Sequence, residues 1–408
     1  MIMLWSPTPP PPPPPKKWIF EQSPASSTGN LKLHQLDIVI ISENVTYDCI
    51  NIYKQPGLDH PLLKNHTIQM KPSRTELNSQ TGNNITQKNK IKCPDGTIPV
   101  LRNTKDFLTS ANLFPENYVH PQSVDSPGTH IAGVRSHAGP YRGIQAWVYG
   151  VDLKIEKDQA SYSQIYLGSG VNNKINYISA GFMGKDGKGC YNTACSGFVQ
   201  VSQTIPIVQP IDISPTEPSF LRPFIHQDKN TGNWWLTYLG PDKPNGDLGY
   251  WPKELFNLFD NGANMVGVGG VVKASPSGSS PPMGNGKFPD GGRRTSAIFA
   301  NIDVLNSNYK QSKISSFPIE ILVDSPQCYG LRVGTVKWYR RTRLGYFFNY
   351  GGPGGNSCGI IDRRLLLNYG FCGQNSGCRI MAPIMSNSPR KLTAQRVLGR
   401  LLAQAGEF

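Results

Sequence analysis

Short runs of alternating apolar and polar residues, separated by glycine-rich turns, constrain the fold of this chain more than any other feature. From Trp147 to Ile155 every odd position is apolar, and we expect that side of the strand to be buried. The same period of two recurs at 298–304 and 234–238. No helical crossover pattern separates these runs. We therefore predict a mainly β protein, an antiparallel two-sheet β-sandwich.

Glycine and proline content supports the same fold class. The chain has 408 residues, including 42 glycines and 35 prolines, which supply turns. A hydrophobic fraction of 38% with 17% charged residues is typical of a folded globular protein and excludes a disordered one. Two helices are also predicted, at Pro252–Leu258, where proline suits a first turn, and at Pro389–Ala405, where leucines share one stripe.

Composition divides the chain into five segments. Residues 1–29 form a disordered leader, rich in proline and serine, with seven consecutive prolines. Residues 30–118 form a small N-terminal unit, and residues 119–129 form an exposed polar linker. The β pattern occupies residues 130–358. Residues 359–408 form a basic C-terminal extension.

The start of the chain does not resemble a secretion signal. Met1–Trp5 is too short for the apolar core of a signal peptide, and polyproline, which is extended and solvated, cannot form one. We therefore expect the natural protein to begin differently. No stretch is long and apolar enough to cross a bilayer, so we predict no membrane span.

The positive charge is concentrated at the C-terminus. The net charge is +14, and residues 331–408 contribute +10 of it, with twelve Lys and Arg residues against Asp362 and Glu407. Such a surface attracts nucleic acid, acidic polysaccharide or anionic lipid. No zinc finger or RNP-like motif is present, so we predict no specific nucleic-acid partner. A basic tail without a specific partner is the simplest interpretation.

Cysteines and glycosylation sequons favour passage through an oxidising, secretory compartment. The chain has eight cysteines, and three Asn-x-Thr sequons begin at Asn44, Asn65 and Asn84. No Cys-x2-Cys pair or histidine-rich spacing predicts a metal site. The glycine clusters at 267–270 and 351–355 lack the context of a nucleotide-binding loop, so no cofactor is expected.

Several linked motifs resemble one plant protein family, the neprosins. Two lie in the N-terminal unit and resemble the neprosin activation peptide: CINIYKQPGLDHPLLKNHTIQMKPS (Cys49–Ser73) and CPDGTIPVLR (Cys93–Arg102). Five resemble the neprosin catalytic domain: GCYNTACSGFVQ (Gly189–Gln200), TGNWWL (Thr231–Leu236), LGYWPKELF (Leu248–Phe256), MGNGKFPDGG (Met283–Gly292) and GYFFNYGGPGGNSC (Gly345–Cys358).

The resemblance implies a secreted zymogen. The N-terminal unit would be an intramolecular pro-domain that covers the cleft and is released by cleavage near residues 118–130. The β-sandwich would be a glutamic peptidase that cleaves after proline. The resemblance also implies three disulfides: Cys49–Cys93, Cys190–Cys195 and Cys328–Cys358. Cys372 and Cys378 lie beyond the family pattern and either pair locally or stay free.

The family's chemistry requires two glutamates, one in an Ile-Glu-Ala-Gly-Trp strand and one in a Gly-Gly-Glu-Val strand. One deprotonates water and the other stabilises the oxyanion or protonates the leaving nitrogen, because two close carboxylates push their pKa values apart. Here Ser179 and Val271 occupy these positions, and a tight loop at 182–189 replaces a family strand pair. We therefore predict a catalytically impaired homologue, a pseudoenzyme.

Other residues offer weaker routes to catalysis. Ser179 as a nucleophile would need a histidine base, and no motif links it to any of the seven histidines. Glu254 is interpreted as a surface helix residue, and Asp290 as a turn-former.

A groove that remains could hold a proline-containing peptide or a cell-wall polymer, with Trp234, Tyr250 and Trp251 as lining candidates. Two alternatives stay open. One is an active prolyl endopeptidase with relocated carboxylates, which predicts two acidic side chains sharing one water. The other is a degraded or mis-spliced gene product, which predicts an uncovered sheet edge near Gly181.

Overall fold

The computed structural model describes a subset of the chain. The described residues are 2–5, 38–42, 45–73, 91–102, 128–150, 153–156, 158–171, 174–183, 196–207, 219–239, 246–289, 296–335, 337–339, 342–356 and 358. All of them belong to one compact unit, Met1–Gly359. Most of the leader and linker, the predicted helix at Pro389–Ala405 and almost all of the C-terminal extension lie outside the described residues.

The described residues form 21 strands, which follow one another along the chain as β1 (Ile2–Trp5), β2 (Ile38–Ser42), β3 (Val45–Asn51), β4 (Thr97–Leu101), β5 (Thr129–Ser136), β6 (Gly143–Gly150), β7 (Ala160–Val171), β8 (Lys174–Met183), β9 (Val199–Gln200), β10 (Ser219–Leu221), β11 (Pro223–Gln227), β12 (Trp234–Tyr238), β13 (Gly246–Trp251), β14 (Met265–Lys273), β15 (Ala297–Leu305), β16 (Gln311–Lys313), β17 (Glu320–Val323), β18 (Gly330–Thr335), β19 (Trp338–Tyr339), β20 (Thr342–Arg343) and β21 (Tyr346–Gly351). Short 3-10 helices cover Ile52–Lys54, Pro56–Asp59, Pro61–Leu63, Lys253–Leu255 and Ile314–Ser316.

Two antiparallel sheets form a sandwich, which confirms the predicted fold class. The six-stranded sheet has the order β1-β8-β7-β14-β5-β17. The ten-stranded sheet has the order β18-β21-β15-β6-β11-β12-β13-β9, with β10 added to β6 and β16 added to β15. The strand β17, which follows β16 in the chain, crosses back to pair with β5.

The core lies between the two sheets. Its buried side chains include Ile165, Ile178 and Val268 from the six-stranded sheet and Ile144 and Leu236 from the ten-stranded sheet. Full burial of each such aliphatic side chain stabilises the fold by about 1.5–3 kcal/mol.

The period of two in β6 is confirmed, but the predicted buried face is wrong. Ala146 and Val148 point into the core, whereas Trp147 and Tyr149 lie half-buried on the opposite face. Both sides of this strand carry apolar residues, so periodicity alone could not choose between them. On the opposite face Trp147 packs edge-on against Phe220.

Two local predictions also differ from the structure. The helix predicted at Pro252–Leu258 is only a single 3-10 turn, Lys253–Leu255, because the segment runs directly between strands. Ile2–Trp5, predicted as part of a disordered leader, pairs with β8, placing Met3 opposite Gly181. A sheet edge offers unpaired backbone groups, and β1 satisfies them here. The edge near Gly181 is therefore covered.

The N-terminal unit is a small three-stranded sheet, β2-β3-β4, closed by the Cys49–Cys93 disulfide. It packs at the β9 edge of the ten-stranded sheet. The buried Gln55 side chain accepts from the backbone N–H of Gln200 at 2.7 Å and donates to its carbonyl at 3.1 Å. The Gln55 amide thus makes the two backbone hydrogen bonds that a neighbouring strand would make with Gln200.

Candidate peptidase-like site

Ser179 and Val271 lie on the same face of the six-stranded sheet. Ser179 is paired with Tyr166 on β7, and Val271 is paired with Tyr162 on the same strand. The two tyrosines are four residues apart, so their side chains point to one face, opposite to the sandwich core. We call this the outer face of the six-stranded sheet. The register places the Cα atoms of Ser179 and Val271 about 16 Å apart in a flat sheet.

Gln164 lies midway between these two positions. It is two residues from each tyrosine on β7, so its Cα is about 8 Å from that of Ser179 and from that of Val271. Its side chain is fully buried, and Nε2 donates to the Tyr177 hydroxyl at 3.0 Å. Among the described residues its Oε1 has no hydrogen-bond partner. Glutamates at positions 179 and 271 could converge over this amide, whereas a serine and a valine cannot.

Backbone, rather than side chains, forms the surface on either side of Gln164. Gly181 and Gly269 are its direct partners on β8 and β14, and Gly133 continues the row on β5. A Cβ added to Gly181 would lie 1.9 Å from the Ser163 carbonyl oxygen, so glycine is required there. A glycine row allows another backbone to approach the sheet closely.

Two buried tyrosines border this glycine row. Tyr166 and Tyr177 stack with ring centroids 5.4 Å apart, and burial raises the pKa of both hydroxyls. They therefore stay neutral and cannot act as bases near neutral pH. The Tyr166 hydroxyl has no hydrogen-bond partner among the described residues.

Among the described residues, two carboxylates on this face lie at its far edge, on or beside β17. Glu320 lies in the same cross-strand row as Ser179, four strands away, or about 19 Å. Its Oε2 accepts from Arg135 Nε at 2.9 Å and Nη2 at 2.7 Å. Asp324 accepts from the Ile131 backbone N–H and lies 2.9 Å from His130 Nδ1. Both acids are thus held by other groups.

Each described histidine contacts a partner other than Ser179. His226 Nε2 lies 3.2 Å from Thr237 Oγ1, and His66 Nε2 lies 2.8 Å from the Tyr250 hydroxyl. His130 faces Asp324, and His60 Nδ1 accepts from the Leu62 backbone N–H. His137 lies at 3.9 Å from Glu320. A serine–histidine pair at position 179 is therefore not formed by these residues; His34 and His120 lie outside the described residues.

Comparison with known families matches two parts of the chain. Residues 42–131 match the neprosin activation peptide, and residues 184–353 match the neprosin domain. The chain belongs to the neprosin family. Val271 lies within the matched neprosin domain, and Ser179 lies between the two matched segments.

One described segment of the neprosin activation peptide contacts the ten-stranded sheet on the face opposite to the core. Residues 66–73, which we call the strap, cross the ends of β12 and β13. The Tyr250 hydroxyl accepts from the Gln69 backbone N–H at 2.8 Å. Gln69 Oε1 accepts from Thr231 and Asn233, at 2.9 and 2.8 Å. These contacts fix the strap to the β11–β12 turn.

Asp228 holds the other end of the strap. Its Oδ2 accepts from Gln69 Nε2 at 2.9 Å and from the Ser73 backbone N–H, while Oδ1 accepts from the N–H groups of Asn230 and Thr231. Burial raises the pKa of Asp228, but these hydrogen bonds outweigh burial and leave the pKa below its ordinary value.

The three predicted groove residues do not line the outer face of the six-stranded sheet. Trp234, Tyr250 and Trp251 are fully buried and belong to the ten-stranded sheet. Trp251 packs edge-on against Phe198 in the core, and Tyr250 lies beneath the strap. Trp234 borders a separate cavity at the end of the sandwich. The three aromatic residues therefore do not share one surface.

Some of the other predicted site residues lie within the described residues and some do not. The disulfides Cys49–Cys93 and Cys328–Cys358 are formed, whereas Cys190, Cys195, Cys372 and Cys378 lie outside the described residues. Asn65 is exposed in the turn before the strap, and Asn44, Asn84 and Asp290 also lie outside the described residues. Glu254 is exposed and faces His66 at 3.8 Å.

Two further observations concern the described residues as a whole. They contain no group of three or more His, Cys, Asp or Glu side chains arranged to hold a metal ion. None of their helices is long and apolar enough to span a bilayer.

Proposed function

We propose that this neprosin-family protein has lost peptidase activity and binds an extended, proline-containing peptide without cleaving it. The observation that carries the proposal is the pair of positions flanking Gln164. Each is close enough for a glutamate to reach the central amide, and each instead holds a side chain that cannot accept a proton from water near neutral pH.

The expected catalytic loss is large. General acid and general base assistance each contribute about 10²–10⁴-fold to rate. Losing both groups also leaves no base at either position to activate the attacking water, so we expect turnover close to that of the uncatalysed reaction. Glu320 and Asp324 cannot substitute as a pair. They are four residues apart on one extended segment, about 13 Å between Cα atoms, and each is held by its own partner.

Peptide binding needs different groups from catalysis, and these are present. The glycine row lets an extended backbone approach the sheet, and the Gln164 amide and Tyr166 hydroxyl supply hydrogen-bonding atoms without partners among the described residues. Ser179 and Gln164 are nearly or fully buried in the intact chain. A peptide therefore reaches them only once this face is uncovered, and the family resemblance implies that cutting near residues 118–130 does so.

The test combines cleavage with binding. The full chain, before and after proteolytic cutting of the 119–129 linker, is incubated at acidic pH with a fluorogenic proline-containing peptide, and binding of the uncut peptide is followed by fluorescence anisotropy. We expect no turnover, together with binding that appears after cutting and is weakened at least about tenfold in Gln164→Leu. Gln311→Leu, an exposed glutamine on the other sheet, is the matched control.

The alternative is an active peptidase with relocated carboxylates. It predicts turnover by the cut protein that is abolished by Glu320→Gln or Asp324→Asn. That result would replace the binding proposal with an active enzyme. Absence of both turnover and binding would contradict both.

A further inference from the structure

A cavity distant in the fold from Gln164 lies at the end of the ten-stranded sheet. Its volume is about 640 Å³, within the usual range for small-ligand sites. The β11–β12 turn, the Lys253–Asp260 segment and Tyr309 form its walls, with Trp234 and Phe256 among the lining side chains. Asp228 accepts hydrogen bonds from both the strap and the β11–β12 turn, so the strap fixes the position of this wall of the cavity.

Three cations line this cavity without carboxylate partners. Arg142, Lys229 and Lys253 all border it, and in the described part of the chain no carboxylate lies within ion-pair distance of any of them. Glu254 and Asp260 also line the cavity, so its formal charge is positive by one. Unpaired cations grouped in one concave site favour an anionic ligand.

Arg142 is held in a fixed orientation. Its Nη1 donates to Gln227 Oε1 at 2.7 Å, and its Cζ lies 5.3 Å from the centroid of the Tyr309 ring. The Tyr309 hydroxyl donates to the same Gln227 oxygen at 3.1 Å. A guanidinium fixed on one side and covered on one face is oriented in advance for a carboxylate, which it binds through two parallel hydrogen bonds.

The backbone of Tyr309 is in an unfavourable conformation. Its φ is +61°, in the left-handed region that glycine and asparagine tolerate and a bulky residue does not. The turn is closed by hydrogen bonds from the Tyr309 N–H to the Asn306 carbonyl and from the Lys310 N–H to Asn306 Oδ1. Glycine would adopt this backbone conformation at a lower cost in free energy. What tyrosine adds is its side chain, whose ring lies against Arg142 and whose hydroxyl donates to Gln227.

We propose that this cavity binds a sugar acid, a ring that carries both a carboxylate and hydroxyl groups, as in an acidic polysaccharide. Arg142 and the two lysines bind the carboxylate. Asn230, Thr231 and the carboxylates of Glu254 and Asp260 supply the mixed donors and acceptors that hydroxyl groups require. Inorganic phosphate offers at most one or two hydroxyl donors for those two carboxylates, whereas a sugar ring offers several.

The experiment measures binding of trigalacturonate to the full chain by calorimetry, with cellotriose as a neutral trisaccharide and inorganic phosphate as a simple anion. We expect binding of trigalacturonate alone. Arg142→Gln and Tyr309→Gly should each weaken it at least about tenfold, the loss expected for a charge-assisted hydrogen bond or its support. Lys287→Gln, which removes an exposed charge outside the cavity, should leave it unchanged.

Tyr309→Gly separates binding from folding. Because glycine suits a φ of +61°, this variant should keep the urea unfolding midpoint of the parent chain while binding is lost. Equal weakening by Lys287→Gln would show general charge attraction and overturn the proposal. Tighter binding of phosphate or of cellotriose would also overturn it, and so would no binding of trigalacturonate. None of these outcomes depends on the peptide proposal, since Gln164 is untouched.

Discussion

At the scale of single residues, the outer face of the six-stranded sheet lacks acidic side chains at two decisive positions. Ser179 and Val271 fill positions where the family resemblance expects acids, and glycines stand where side chains would block the sheet. Among the described residues, the polar side chain at the centre is Gln164. This residue was not singled out from the sequence, although a glutamine between Ser163 and Ile165 on a buried strand was the available signal.

Gly267→Ala tests how tightly this face is packed. A Cβ at position 267 would lie 2.3 Å from the Tyr166 hydroxyl oxygen and 2.7 Å from the Val134 carbonyl oxygen. We expect a loss of about 1–3 kcal/mol in unfolding free energy, measured by urea denaturation, since neither the ring nor the strand can move freely. The control is Gly246→Ala, which meets only the flexible Ile205 side chain; an equal loss there would contradict this reason.

At the scale of elements, edges are covered by unexpected partners. The predicted leader supplies β1, which pairs with β8, and a glutamine side chain occupies the open edge of β9. Neither could be read from periodicity, because a four-residue strand has no measurable period and a side-chain cap has no pattern at all. Sequence reasoning is strongest for long alternating runs and weakest for such short contacts.

Gln55→Ala tests the cap on β9. Its removal leaves the buried Gln200 N–H and carbonyl without these hydrogen bonds, which should cost about 1–3 kcal/mol. Amide hydrogen exchange at Gln200 should accelerate accordingly. Gln55→Glu retains an acceptor for the Gln200 N–H and should protect that amide better than alanine does. Unchanged exchange in Gln55→Ala would show that the amide is not needed at this edge.

At the scale of the whole molecule, stability should fall as the solution becomes acidic. Burial lowers the pKa of His226 to about 4, although Asp228 opposes this shift, and burial also lowers the pKa of His66. In the unfolded chain these rings take up protons near pH 6.5, so the unfolded state binds more protons between about pH 6.5 and 4. The stability that neutral His226 contributes is full above that window and falls by about 3 kcal/mol across it.

Urea denaturation of the intact chain at pH 7 and pH 4.5 measures this dependence. His226→Gln should flatten it, whereas His137→Gln, at a half-exposed ring, should flatten it less. Asp228 adds to the effect at lower pH: its depressed pKa contributes stability above its ordinary value near 4 that is lost as the pH falls through the folded pKa. A pH-independent stability would contradict the buried, neutral state of His226.

The sequence by itself determined the β class, the two described disulfide pairings through the family resemblance, and the absence of acids at positions 179 and 271. Each of these depends on local pattern or residue identity. Only the tertiary structure decided which face of β6 is buried, that Gln164 lies between the two replaced positions, and that Arg142, Gln227 and Tyr309 meet. Those facts depend on strand register and on contacts between residues distant in the chain, because one residue of slippage exchanges the two faces of a strand.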